Sequence, residues 1–239
     1  MGAPPVPSTD GLGVPGVPDL PGVPRLTSPV DALARVAALR AVRPGRRLVV
    51  AVAGEPGSGK STVAAAVVAA LTASGTSAVG VPMDGFHLAG STLARLGRLD
   101  RKGAVDTFDA DGYLALLRRL REHGPATVWA PDYVRGVEES IGGAIEVGPE
   151  VEVVVTEGNY LLVDDEPWRE VREVADETWA VHVPHGLRRD RLTARHAAFG
   201  MAQEAARAWA EGPDEAAARL VRATLASADA QVDGAGAWG

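Results

Sequence analysis

The chain has 239 residues, 46% of them apolar and only 5% aromatic, and it contains no cysteine. That length suits one large domain, able to bury roughly 70% of its unfolded surface. The absence of thiols excludes disulfide frameworks, thiolate metal sites and cysteine nucleophiles, and a reducing, cytoplasmic compartment is expected. With 24 basic against 31 acidic residues the net charge is −7, a field that repels nucleic acid and anionic lipid. No apolar run approaches the ~20 residues of a membrane span, so neither nucleic acid nor membrane is an expected partner.

In chain order, Met1 to about Pro24 is punctuated by Pro4, Pro5, Pro7, Pro15, Pro18, Pro21 and Pro24 with glycines between. Residues 1–27 are therefore expected to be a disordered tail, without the cationic start or continuous apolar stretch of a secretory signal. Ser28 can cap a helix with Pro29 in its first turn. Leu48 to Ala53 is a continuous apolar run closed by Gly54, the pattern of a strand buried on both faces. Val63, Val67 and Leu71 then recur at helical spacing, and Ala78 to Met83 reads as a second strand whose Pro82 suits a sheet margin. Asp109 caps a predicted helix with Tyr113, Leu116, Leu117 and Leu120 inward, and Gly124-Pro125 stops it. Thr127 to Trp129 is a brief strand, and Val151 to Thr156 and Thr178 to Val183 are two longer ones. Helical patterns cover Leu187 to about Phe199, Ala202 to Ala210 and Pro213 to Ala228, and residues 231–239 look loose. Alternating strands and helices imply an α/β fold with a mostly parallel sheet, here a domain over residues 28–230.

Gly54-Glu55-Pro56-Gly57-Ser58-Gly59-Lys60-Ser61, followed by Thr62, is a complete G-x-x-x-x-G-K-[ST] loop between strand and helix. Its backbone amides can converge on phosphate oxygens, Lys60 can reach the outer phosphates and the Ser61 hydroxyl can ligate magnesium, so ATP and Mg2+ are the expected cofactors. Lys60 is one of only two lysines, Lys102 being the other. Asn159 is the only asparagine and no lysine follows it, which removes the N-K-x-D element of guanine-specific GTPases. The strand beginning at Val151 ends in Glu157, not the aspartate of motor and transporter ATPases.

Five segments taken together resemble the uridine kinase, phosphoribulokinase and bacterial pantothenate kinase family, closest to its small bacterial nucleoside or sugar kinase branch. They are Gly54 to Ser61, Met83-Asp84-Gly85-Phe86-His87, Pro131-Asp132-Tyr133-Val134-Arg135, Thr156-Glu157-Gly158-Asn159-Tyr160 and Arg191-Leu192-Thr193-Ala194-Arg195-His196. The resemblance covers roughly residues 30–230 and implies a three-layer P-loop NTPase fold with a helical lid at about 186–212. It also implies Asp84 as the base on the acceptor hydroxyl, Glu157 near both magnesium and substrate, and lid arginines at Arg191 and Arg195. Arg188, Arg191 and Arg195 are spaced to share one helix face, where they can close over ATP and neutralise the transferred phosphoryl group.

Phe86, His87, Tyr133 and Arg135 are the candidate substrate contacts, matching the family's stretches after the base and around P-x-Y. Arg95, Arg98, Arg101 and Lys102 form a basic stretch fit for an anionic substrate or for a solvated loop. His182 and His185 lack a carboxylate partner in a metal-binding pattern. The expected activity is transfer of the γ-phosphoryl group of Mg-ATP to a hydroxyl of a small nucleoside or sugar-like acceptor, with a homodimer left open. The alternatives are a pantothenate kinase and a nonenzymatic nucleotide-binding regulator.

Overall fold

The computed structural model describes residues 20–238; the expectation for residues 1–19 lies outside them. In chain order the first half runs β1 (Arg25–Leu26), α1 (Pro29–Val42), β2 (Leu48–Gly54), α2 (Lys60–Ala73), β3 (Ala78–Pro82), α3 (Gly90–Arg95) and α4 (Ala110–Glu122). The second half runs β4 (Val128–Val134), β5 (Glu139–Val147), β6 (Val153–Gly158), α5 (Val171–Val174), β7 (Glu177–His182), α6 (His185–Ala198), α7 (Gln203–Glu211), α8 (Pro213–Arg222) and β8 (Ala230–Asp233).

Six strands form one sheet in the order β1-β8-β7-β2-β6-β3, and every neighbouring pair is parallel. Such a sheet must be covered on both faces, which is why β2 and β6 read as unbroken apolar runs. Alternate residues of β2 serve opposite cores. Val49, Ala51 and Ala53 pack with Tyr113, Leu117 and Leu120 of α4, while Leu48, Val50 and Val52 pack with Val36 of α1 and Val63 and Val67 of α2. The result is the expected three-layer α/β architecture. Each fully buried valine or leucine here contributes about 1.5–3 kcal/mol of transfer free energy.

Local signals act where they were read. Ser28 caps α1 in a reciprocal capping box with Asp31, and Asp109 caps α4 by accepting from the Gly112 amide. The proline-bearing strand β3 is at the sheet edge, where its missing donor costs no ladder bond. No helix among the described residues is long and apolar enough to cross a membrane.

Three expectations need correction. The sheet begins inside the predicted tail, since Arg25–Leu26 pair with β8 and Leu26 is buried. The brief strand at 127–129 is the start of an antiparallel hairpin, β4 with β5, which packs against the turn after β3. The largest correction is at the C-terminus. Composition predicts a loose segment at 231–239, whereas Ala230–Asp233 is inserted as β8 between β7 and β1, with all four residues buried. Its polar groups are satisfied: the Gln231 amide donates to Pro24 O at 2.9 Å, and its side-chain carbonyl meets His182 Nε2. Trp238 is only 5% exposed, joins the core on the α1 and α2 side, and donates from Nε1 to Asp233 O at 2.7 Å.

Candidate active site

The phosphate-binding loop is built by the end of β2 and the start of α2. Gly57 (φ +80°) and Gly59 (φ +89°) take the left-handed conformation that turns the chain into the helix. The Val63 amide makes the 2.9 Å bond to Gly59 O, so the Lys60, Ser61 and Thr62 amides precede the helix's own ladder and present donors at its positive end. α2 has no acidic residue in its first turn to compete for them. The Ser58 hydroxyl is buried without a partner inside this loop. The Glu55 carboxylate turns away from the loop. It receives Arg222 at 2.7 Å and 2.9 Å and lies 3.1 Å from Arg188 Nε.

Beyond the edge strand β3, a one-turn 3-10 helix (Met83–Phe86) places Asp84 at the carboxyl edge of the sheet, where ligands of such folds bind. The β4 backbone lies so close to this turn that a Cβ on Gly85 would meet Pro131 O at 2.4 Å. Arg135, just past β4, reaches back and donates from Nη2 to Asp84 Oδ2 at 3.1 Å. Glu157 ends β6 beneath the loop and accepts the Ser61 hydroxyl at 2.9 Å. Burial holds its carboxyl above the ordinary carboxylate range, with the Lys60 charge opposing and Asp84 adding to the rise.

A cavity of about 580 Å³ opens between the loop, the hairpin and α6 to α8. It gathers Pro56, Lys60, Ser61, Asp84, His87, Tyr133, Arg135 and Arg195. The other loop residues, Gly54, Glu55, Gly57, Ser58, Gly59 and Thr62, flank it, and Glu157 lies behind Ser61. His87 is stacked between Phe108 and Tyr133, with ring centroids 4.1 Å and 4.6 Å away. Its Nδ1–H donates to Asp84 O at 2.8 Å and burial lowers its pKa, which favours the neutral ring, whose Nε2 is an acceptor. Arg195 lines the cavity half-buried, within the fields of Asp214, Asp84 and Glu157.

Two sequence-predicted residues are placed elsewhere. Phe86 packs into the core edge-on to Tyr113, 5.3 Å between centroids, and does not line the cavity. Arg191 does not line it either. Its Nη1 donates to Ser58 O at 3.3 Å and Gly234 O at 3.2 Å, clamping the loop from outside. The three arginines expected to act as one face thus divide: Arg188 is buried in ion pairs with Glu55 and Glu215, Arg191 braces the loop, and Arg195 faces the cavity.

Sequence reasoning missed Tyr160, Trp209 and Asp214 on the cavity wall, and Asn159, whose Oδ1 is buried without a partner. Asn159 and Tyr160 follow Glu157-Gly158 directly, which was the available signal; Trp209 and Asp214 carried none. The basic stretch also resolves. Arg98 and Arg101 pair with Asp106 at 3.4 Å and 2.6 Å, and Arg101 and Lys102 both line the cavity.

A nucleotide-phosphate loop at the carboxyl edge of a parallel sheet, facing a carboxylate and a half-buried arginine, defines a P-loop phosphotransferase. The chain belongs to the Phosphoribulokinase / Uridine kinase family, matched over residues 49–183, and with it is an ATP-using small-molecule kinase. It is 35% identical over 184 residues to the uncharacterized protein YggC of Escherichia coli K12, covering 75% of this chain and 76% of that one. It is also 35% identical over 133 residues to the ATP-dependent kinase-like protein notR' of Aspergillus versicolor, covering 53% of this chain and 77% of that one. Among solved structures, the "putative fructose transport system kinase" of Silicibacter sp. TM1040 superposes with a TM-score of 0.77 at 41% identity, over 84% of this chain and 97% of that one.

Proposed function

We propose that this kinase moves the γ-phosphoryl group of Mg-ATP onto a hydroxyl of a small polar metabolite of the nucleoside or sugar type. The observation that carries the reading is Asp84 in one cavity with Lys60, Ser61 and Arg195. The donors fit the nucleotide: open amides at the start of α2, a buried unpartnered Ser58 hydroxyl, and left-handed glycines that keep side chains out of the loop. They also fit magnesium, which binds through one or two protein oxygens plus phosphates and water, and no larger cluster of His, Asp or Glu exists among the described residues. Ser61 and Glu157 would hold it, the hydroxyl directly and the carboxylate from behind. The chemistry supplied there would be positive charge to offset that of the phosphates.

The remaining work falls to this chain's residues. Loop amides and Lys60 hold the phosphates in line, and Arg195 neutralises charge spreading over the transferred group. Asp84, oriented by Arg135 at 3.1 Å, accepts the proton of the attacking hydroxyl. His87 Nε2 accepts from a further hydroxyl and fixes the acceptor's pose.

The direct test incubates the protein with Mg-ATP against nucleosides, sugars, polyols and pantothenate and identifies the phosphorylated product by mass. Asp84→Asn should bind ATP normally and lose about 10²–10⁴-fold in turnover, as removal of a general base does. Lys60→Ala should weaken both ATP binding and turnover. An Asp84→Asn protein that turns over at the wild-type rate would remove the base from Asp84.

A further inference from the structure

Both lysines of the chain, Lys60 and Lys102, line the same cavity, although every other basic position is arginine. Lys60 belongs to the phosphate loop; Lys102 has no part in the reading above. We propose that Lys102, assisted by Arg135, is an anion-binding subsite, so that the acceptor carries a carboxylate or phosphate group besides the hydroxyl presented to Asp84. This rests on the phosphoryl-transfer reading of the same cavity and narrows its substrate class.

The loop around Lys102 is held by bonds that use its neighbours and spare its charge. Tyr160 donates its hydroxyl to Gly103 O at 2.6 Å, and the Gly103 amide donates to Thr107 Oγ1 at 3.0 Å. Arg101 is taken by Asp106 at 2.6 Å. The Lys102 ammonium makes no ion pair among the described residues. It donates to the backbone carbonyl of Glu138 and stands 5.3 Å from the centroid of the Tyr133 ring. Both partners are neutral, so a full charge and two further donors stay available.

The Glu138 carboxylate lies in the field of Lys102 but gives its hydrogen bonds to other donors. Glu138 accepts the Tyr133 hydroxyl at 2.7 Å and the Gly136 amide at 3.2 Å. On the same aromatic ring Arg135 stands 5.9 Å from the centroid, so two cations share one platform beside Asp84. Lys60 and Arg195 answer the triphosphate; Lys102 has only the field of Glu138, a carboxylate whose field it shares with Arg135 and with which it makes no ion pair. A neutral acceptor closing this cavity offers the ammonium only uncharged oxygens in place of the water it strips, whereas an anionic group adds ion pairing to the hydrogen bond. A compact ammonium with rotating donors suits either a carboxylate or a phosphate.

The test is calorimetric binding to the full chain with magnesium and a nonhydrolysable ATP analogue, using matched series. Glycerol is compared with glycerate and glycerol phosphate, and ribose with ribonate and ribose phosphate. An acidic member should bind at least about tenfold tighter than its neutral parent, the size of one charged hydrogen bond, and the two acidic arms separate carboxylate from phosphate recognition. Lys102→Gln should erase that preference, Lys102→Arg should restore part of it, and both should bind the ATP analogue as wild type does. Neutral parents binding as well as the acids, no acid binding at all, or a Lys102→Gln protein that melts earlier with its preference intact would each overturn the proposal. Acids that bind through Lys102 but accept no phosphate from Mg-ATP would instead sink the transfer reading and leave the subsite standing.

Discussion

Glu157 shows how one residue can be costly to the fold and useful to the site. Its carboxyl is pushed above the ordinary carboxylate range by lost hydration, and Lys60 only partly opposes this. A folded-state pKa above the unfolded value means that the native protein binds more protons than the unfolded chain between the two values. Stability is therefore lost as pH rises through that window. Glu157→Gln should accordingly melt higher than wild type at pH 7 to 8, with the gap shrinking toward pH 4 to 5, while magnesium-dependent turnover falls about 10–100-fold. A gap that stays constant with pH would place the cost elsewhere than in the charge. At this scale the phosphate loop and Asp84 were legible because their residue types are bound to one chemistry. Phe86 and His87 were not separable: in a 3-10 turn adjacent residues diverge, and only the structure shows Phe86 entering the core and His87 the cavity. Lys102 was hidden for a related reason, since a basic stretch does not reveal which cation Asp106 will occupy.

Among the elements, the parallel strands β2, β3, β6 and β7 were legible and β1, β5 and β8 were not. β5 is exposed along much of its length and carries Gly142-Gly143, so it lacks both apolar alternation and β-branched density. β8 is four residues long and buries Gln231 and Asp233, whose suitability depends on partners distant in sequence. Its placement matters to the site. Just beyond β8, Gly234 donates its amide to His182 O at 2.8 Å and offers its carbonyl to Arg191. A Cβ there would meet Ser58 O at 2.5 Å. The C-terminal strand is thus a backstop for the phosphate loop, with Arg191 as the clamp. Because the same Cβ would also meet Val181 Cγ1 at 2.7 Å and Val183 Cγ1 at 2.9 Å, Gly234→Ala should lower the melting temperature and displace the loop, raising the KM for ATP about tenfold with the acceptor KM little changed. Steady-state kinetics with each substrate varied in turn would show this. An unchanged KM for ATP would mean that the loop adjusts without consequence.

Across the whole molecule, one ion-pair network joins the helical half to the phosphate loop. Arg188 on α6, only 1% exposed, lies between Glu55 of the loop and Glu215 of α8, and Arg222 closes the network by reaching both carboxylates. Breaking a buried pair costs more than forming it gains, and without Arg188 the two mostly buried carboxylates would repel each other with Arg222 as their one shared counter-ion. Arg188→Ala should therefore destabilise the protein by about 3 kcal/mol, close to 10 °C in a chain of this size. The network also predicts a functional effect that a purely structural one would not show. A saturating ATP analogue with magnesium should stabilise wild type by about 2.7 kcal/mol at a hundredfold excess over Kd. If Arg188 pre-organises the loop, the same ligand concentration should raise the melting temperature of Arg188→Ala by distinctly less than that of wild type. Equal increments for the two proteins would reduce Arg188 to a stabilising pair and separate the helical half from nucleotide binding. An unequal pair of increments would make α6 to α8 part of the machinery that recognises ATP, because their charge would then be spent on the shape of the loop that holds it.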